Sequence, residues 1–277
     1  MYEQYWNLKE KPFQNTPDPR YLFLSNQHED ALMKLTYVIA QGLGCGMLTG
    51  VFGCGKTLLG KAILNDLGKD RYRCAYIFNP CVSEPAELLR AIVRGLSPQA
   101  LPEKKTELLV DPLLEKLQAI LLDNVSEGKE NIVVIDEAHA IEDTRIFEQM
   151  RLVLNFQSEN KFLLTLLILG QPELRDKVDA IKPLDQRVAV RCHLDHLSSS
   201  DVDKYIKHRL KVAGSMESPD NPIFAKEAVE AIAKHSGSIP RRINTLCDLI
   251  LMSGFAKKTK KIELDFINSV IKDFNVS

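Results

Sequence analysis

Gly50-Val51-Phe52-Gly53-Cys54-Gly55-Lys56-Thr57 stands between a short apolar run at 47–49 and a helical pattern at 57–67. The stretch fits Gly-x4-Gly-Lys-Ser/Thr in the context that pattern requires, a strand ahead and a helix behind. Glycines let the backbone curl so that its N–H groups face inward, and the helix start adds the positive end of its dipole. Such a concavity suits the phosphates of ATP. Gly50, Gly53, Cys54, Gly55, Lys56, Thr57 and Leu58 are the expected nucleotide contacts. Lys56 reaches the terminal phosphates, and the Thr57 hydroxyl is an oxygen ligand for Mg2+. An accidental Gly-rich turn is the competing explanation, and strand, loop and helix together argue against it.

The second chemical signal is Ile132-Val133-Val134-Ile135-Asp136-Glu137, an apolar strand ending on two carboxylates. Ligands of open parallel sheets bind beyond the carboxyl ends of the strands. Asp136 is expected to orient the Mg2+ shell and Glu137 to polarise an attacking water. Solvated acids at a strand end are common; coupling to the phosphate loop is what favours catalysis. Asp136-Glu137-Ala138-His139 also spells a helicase-like tetrapeptide. With one phosphate loop and no further helicase motif, helicase activity is not expected. His139 is open to two readings, a nucleotide sensor or an ordinary helix-start histidine.

Around these motifs strand and helix alternate. Apolar runs at 47–49, 75–78, 132–135, 163–169 and 188–194 are separated by helical patterns at 57–67, 84–96, 111–124 and 144–156. Alternation of this kind predicts an α/β fold, a parallel sheet flanked by helices. A helical pattern at 27–41 precedes it, and 97–106 reads as a polar loop. Beyond about Leu197 the strand signal stops, and 200–213, 223–235, 240–255 and 263–274 read as helices. A small all-helical domain is therefore expected over 198–277, after an α/β domain over 26–197. Residues 1–25, dense in Pro and aromatics, should be extended and packed on the rest.

Composition limits the function classes. The chain has 277 residues, 45% hydrophobic and 26% charged, with a formal net charge of −1. Neither a basic excess for nucleic acid nor an acidic excess for disorder is present. Cys45, Cys54, Cys74, Cys81, Cys192 and Cys247 show no metal spacing, which suits a reduced cytoplasmic setting. The polar, aromatic residues 1–11 do not read as a signal peptide. The longest apolar run, at 162–169, is too short to span a bilayer, so any membrane role needs a partner.

Several polar residues fall where phosphate could be sensed. Gln171 follows the fourth apolar run, beside a Pro172-Glu173 helix start. Arg187 and Arg191 flank the entry to the last strand. Arg241 and Arg242 sit in a first helical turn, where cations oppose the dipole and an anion would help. For each, solvated surface charge is the plain alternative. His193 and His196 lack a third ligand, and Lys257, Lys258, Lys260 and Lys261 read as a solvated helix end.

With these residues placed, the chain resembles the AAA+ ATPases of the ExeA/GspA type and the related MSHA-pilus proteins. The most specific part is Tyr2-Glu3-Gln4-Tyr5-Trp6-Asn7-Leu8, then Pro12-Phe13 and Thr16-Pro17-Asp18-Pro19-Arg20-Tyr21-Leu22-Phe23. The phosphate loop, Ile135-Asp136-Glu137-Ala138, Gly170-Gln171-Pro172-Glu173-Leu174, Gln186-Arg187 and Ile239-Pro240-Arg241 follow in family order. The resemblance implies ATP hydrolysis by a self-associating ATPase with a helical lid. It implies that Gln171 is the first sensor, Arg187 an arginine finger acting on a neighbour's ATP, and Arg241 the lid's sensor. It places the 1–25 segment near the adenine. It also implies service to a secretion or pilus assembly system at the inner membrane. Longer family members add a transmembrane helix and a peptidoglycan-binding domain. A DNA-associated regulator of the transposition-ATPase type, with a similar core, is the alternative.

Overall fold

The apolar runs pair as strands in the computed structural model, which describes residues 1–78, 80, 82–100, 108–158, 161–216 and 222–274. The strands are β1 (Cys45–Gly50), β2 (Tyr72–Ile77), β3 (Glu130–Ile135), β4 (Gln157–Ser158), β5 (Lys161–Phe162), β6 (Leu164–Gly170) and β7 (Val188–Leu194). β4 and β5 pair antiparallel by themselves, and the other five form one parallel sheet in the order β2-β3-β6-β1-β7. β1 and β6 are buried at every position, because helices cover both faces of a parallel sheet. β2 and β7, at the edges, are only partly buried.

Parallel neighbours need crossovers, and helices supply them. After α1 (Asn26–Gln41), which precedes β1, they are α2 (Lys56–Asp66), α3 (Pro85–Leu96), α4 (Val110–Ser126), α5 (Thr144–Val153), α6 (Glu173–Asp179) and α7 (Lys182–Asp185). α3 shows why each helix docks: Leu88, Leu89, Ile92, Val93 and Leu96 form one buried stripe at helical spacing. Of the loop expected at 97–106, Pro98–Ala100 is a short 3-10 turn, and 101–106 lie outside the described residues, as does Cys81. α6 and α7 are short helices in a stretch where periodicity showed only a helix start.

The chain forms two compact units. One comprises Gln27–Val51 and Leu59–Leu194, the other Met1–Asn26, Phe52–Leu58 and Asp195–Ser277. The second holds α8 (Ser199–Val212), α9 (Lys226–Ser236), α10 (Pro240–Ala256) and α11 (Leu264–Phe274). Ser198 caps α8, its side chain accepting from the Asp201 N–H at 3.1 Å. No helix among the described residues is long and apolar enough to cross a membrane.

The first 25 residues depart from the extended path expected of them. They run as successive turns ending in a 3-10 turn at Pro19–Tyr21, because their aromatics anchor to helices at several points. Tyr2, Trp6, Leu8 and Phe13 share one core with Tyr205, Leu246, Cys247 and Ile250. The Trp6 indole N–H donates to the Leu251 carbonyl at 3.0 Å, and the buried Arg209 donates to the Gln14 carbonyl at 2.9 Å.

Gly254 makes room for that indole: a Cβ there would lie 2.7 Å from Trp6 Cζ2. Gly254→Ala therefore sets two effects against each other. Helix propensity favours Ala by about 1 kcal/mol. Overpacking a rigid, hydrogen-bonded ring costs about 1–3 kcal/mol. We expect a net loss of about 1 kcal/mol. Urea unfolding followed by the fluorescence of Trp6, the one tryptophan of the chain, reads it directly. A raised midpoint would mean that the indole yields freely.

Candidate nucleotide site

The end of β3 is built as a turn with two unlike acids. Ile135 pairs with Ile77 on one side and Ile168 on the other, and Asp136 extends the ladder by donating its N–H to the Ile77 carbonyl at 2.9 Å. The Asp136 residue is fully buried. Its Oδ2 accepts from the Tyr76 hydroxyl at 2.8 Å and its Oδ1 from the Glu137 N–H at 2.9 Å. Tyr76 is held well above the ordinary tyrosine range, by burial first and then by the Asp136 carboxylate, so it remains a donor. Glu137 has φ 56°, in the left-handed region, and the chain leaves it as a short 3-10 turn at Ala138–Ala140. Its side chain is 26% exposed, so one acid faces protein and the other is accessible.

Two strands' ends meet at this turn. Gln171 follows β6, and its amide N–H donates to His139 Nε2 at 2.8 Å. His139 Nε2 is also 3.6 Å from Glu137 Oε2. Lys177 on α6 donates to the carbonyls of His139 and Ile141 at 2.6 and 2.7 Å. Gly170 is required by close approach, since a Cβ there would lie 3.1 Å from the His139 backbone nitrogen. Gln171, His139 and Glu137 thus form one cluster, fixed by Lys177.

The phosphate loop has the backbone its glycines predict. Gly53 and Gly55 take φ 83° and 106°, which other residues rarely adopt. Lys56 opens α2 and is 5% exposed, with Nζ 4.0 Å from Cys54 Sγ. Burial pushes the Cys54 thiol up, so it behaves as a small apolar residue rather than a thiolate. Thr57 and Leu58 continue the first turn of α2. From α10, the Arg241 N–H donates to the Gly53 carbonyl at 3.2 Å, and its guanidinium lies 4.8 Å from the centre of the exposed Phe52 ring. A Cβ on Gly53 would come within 2.7 Å of Arg241 Cβ, so the loop and the start of α10 are packed together.

The arginines around β7 differ. Arg191 is paired with Asp179 at 3.0 Å and with Asp185, and serves structure. Half-buried Arg187 has no ion-pair partner among the described residues, and its Nη1 is buried without a hydrogen-bond partner. His193 and His196 are spoken for separately: Nδ1 of His193 lies 2.9 Å from Thr49 Oγ1, and Nδ1 of His196 lies 2.8 Å from the Gly237 carbonyl. Among the described residues no cluster of three or more His, Cys, Asp or Glu could hold a metal. A Mg2+ ion here would take its remaining ligands from phosphate and water, as this ion commonly does.

Tyr76, His139 as a cluster member, and Lys177 were not read from sequence as parts of the site. Tyr76 becomes visible only through register, since β2 sets it opposite Val134, two residues before Asp136.

Known proteins resemble this chain. Residues 39–178 match the AAA domain family. General secretion pathway protein A of Aeromonas hydrophila is 37% identical over 264 residues, which is 95% of this chain and 46% of that protein. The chain therefore spans about half the length of that relative. Among solved structures, the ORC2 protein of Aeropyrum pernix aligns with a TM-score of 0.71 at 15% identity, over 96% of this chain and 72% of that one. Cdc6p of Pyrobaculum aerophilum gives 0.70 at 17%, over 95% and 70%. The RuvB branch migration motor of Thermotoga maritima gives 0.60 at 17%, over 90% and 70%. At those identities the structures speak for the fold, a P-loop sheet with a helical C-terminal region. Sheet order, phosphate loop and paired acids agree with the match across residues 39–178, and the chain belongs to the AAA domain family.

Proposed function

We propose that this chain binds ATP with Mg2+ and hydrolyses it while assembled with copies of itself, in support of a bacterial secretion or type IV pilus assembly system at the inner membrane. One observation carries the chemistry: the acids at the end of β3 have separate environments. Asp136 is fully buried and oriented by Tyr76 and a backbone N–H, as suits a fixed carboxylate ordering a metal shell. Glu137 is partly exposed on a left-handed backbone, as suits a group that must meet water. Thr57 and Asp136 are the protein oxygens assigned to Mg2+, which neutralises phosphate charge when bound. Gln171 and Arg241 are assigned to sensing the terminal phosphate. The pathway assignment rests on the relative named General secretion pathway protein A.

Glu137→Gln tests the reading. The amide keeps the shape and loses the charge that polarises water. ATP binding should persist while turnover falls about a hundredfold. The ATP-held form should also retain assembly proteins in a pull-down. Wild-type turnover by a variant that still binds ATP would overturn the role of Glu137. Salt-sensitive retention on DNA instead of such proteins would favour the transposition-type reading.

A further inference from the structure

We infer that His139 is a positioning residue that passes the state of Gln171 to Glu137. The inference rests on the reading of Glu137 as the group that polarises water.

The geometry places one ring nitrogen between two claimants. His139 Nε2 lies 2.8 Å from the Gln171 amide nitrogen and 3.6 Å from Glu137 Oε2. The amide N–H needs a lone pair on Nε2, whereas a carboxylate needs a proton there. A single nitrogen cannot meet both demands at once. The bond to Gln171 is made, and the Glu137 oxygen stands just beyond hydrogen-bond reach. If Gln171 turns to another acceptor, such as a phosphate oxygen, Nε2 is released, and with a proton taken up from water it can donate to Glu137. The state of Gln171 then decides whether the carboxylate is held.

The surroundings suit such an exchange. The His139 side chain is 17% exposed, and its Nδ1 is buried with no hydrogen-bond partner among the described residues, so no second bond from them dictates the ring's direction. The backbone beneath is fixed: Lys177 bonds two carbonyls of the turn, and Gly170 packs against the His139 backbone nitrogen. With the backbone held, the exchange falls to the side-chain ends, so a change at Gln171 becomes a change at Glu137.

The test is ATP turnover by wild type, His139→Ala, Gln171→Ala and the double variant, with ATP binding and melting measured for each. Each single change should lower kcat about tenfold, the scale of one lost hydrogen bond, with little change in KM. In the His139→Ala background, Gln171→Ala should lower kcat by clearly less than it does in the wild type, because its path to Glu137 is already cut. His139→Gln should recover much of kcat, since its amide can present either N–H or oxygen. Multiplying effects in the double variant would show that Gln171 and His139 act separately, and would overturn the inference. So would equal losses in His139→Gln and His139→Ala, which would mark a packing role. An inactive wild type, or an active Glu137→Gln, would instead bring down the underlying reading of Glu137.

Discussion

Arg187→Ala binds ATP as the parent does and turns it over about a thousandfold more slowly, the scale of a lost arginine finger. A guanidinium cannot shed its proton, so a buried nitrogen on Arg187 with no partner among the described residues is a standing cost in the isolated chain. Four residues on, Arg191 shows the alternative, with Asp179 and Asp185 engaging its charge. Removing Arg187 should therefore leave the melting temperature unchanged or raised, whereas Arg191→Ala should lower it. Whether Arg187 acts on its own subunit's ATP or a neighbour's is separable by mixing. Lys56→Ala keeps the finger and lacks ATP; Arg187→Ala holds ATP and lacks the finger. In mixed assemblies some junctions pair a good finger with a loaded site, and activity should partly return. Assembled mixtures as inactive as either variant alone would overturn the action between subunits.

The second large effect is at Lys56. The residue is 5% exposed at the start of α2, where the loop backbone and the helix dipole already favour an anion. Truncating one partner of a buried charge pair costs about 4 kcal/mol, so Lys56→Ala should weaken ATP binding about a thousandfold. Titration calorimetry with ATP and Mg2+ reads the affinity, and circular dichroism shows whether the fold survives. Unchanged affinity in a folded variant would remove Lys56 from the site.

The two variants probe parts of the molecule that differ in how far sequence reveals them. The loop around Lys56 is legible because its requirements are local. Glycines at 53 and 55 are needed where φ is positive, and the lysine follows at a fixed offset. The strands are legible because burial on both faces makes β1, β3 and β6 nearly continuous apolar runs. Short α6 and α7, and the turns of the first 25 residues, are not. Their shape answers to distant partners, such as the Leu251 carbonyl that receives the Trp6 indole.

What the sequence by itself determined about this protein is its class: a parallel sheet with helices around it, a phosphate loop, and two acids at the end of a strand. Periodicity and short motifs carry that much, since each depends on residues only a few positions apart. The tertiary structure alone decided which of those residues work together. Tyr76 reaches Asp136 because β2 and β3 are in register, and Gln171 reaches His139 because β6 lies beside β3. Arg241 packs against Gly53 because α10 folds back onto the loop. Among the described residues Arg187 has no ion partner while Arg191 takes two, although Arg187 directly precedes β7 and Arg191 lies four residues on, within it. Hydrogen bonds and ion pairs form within about 3–4 Å, and only the packed chain brings residues this far apart in sequence within that range.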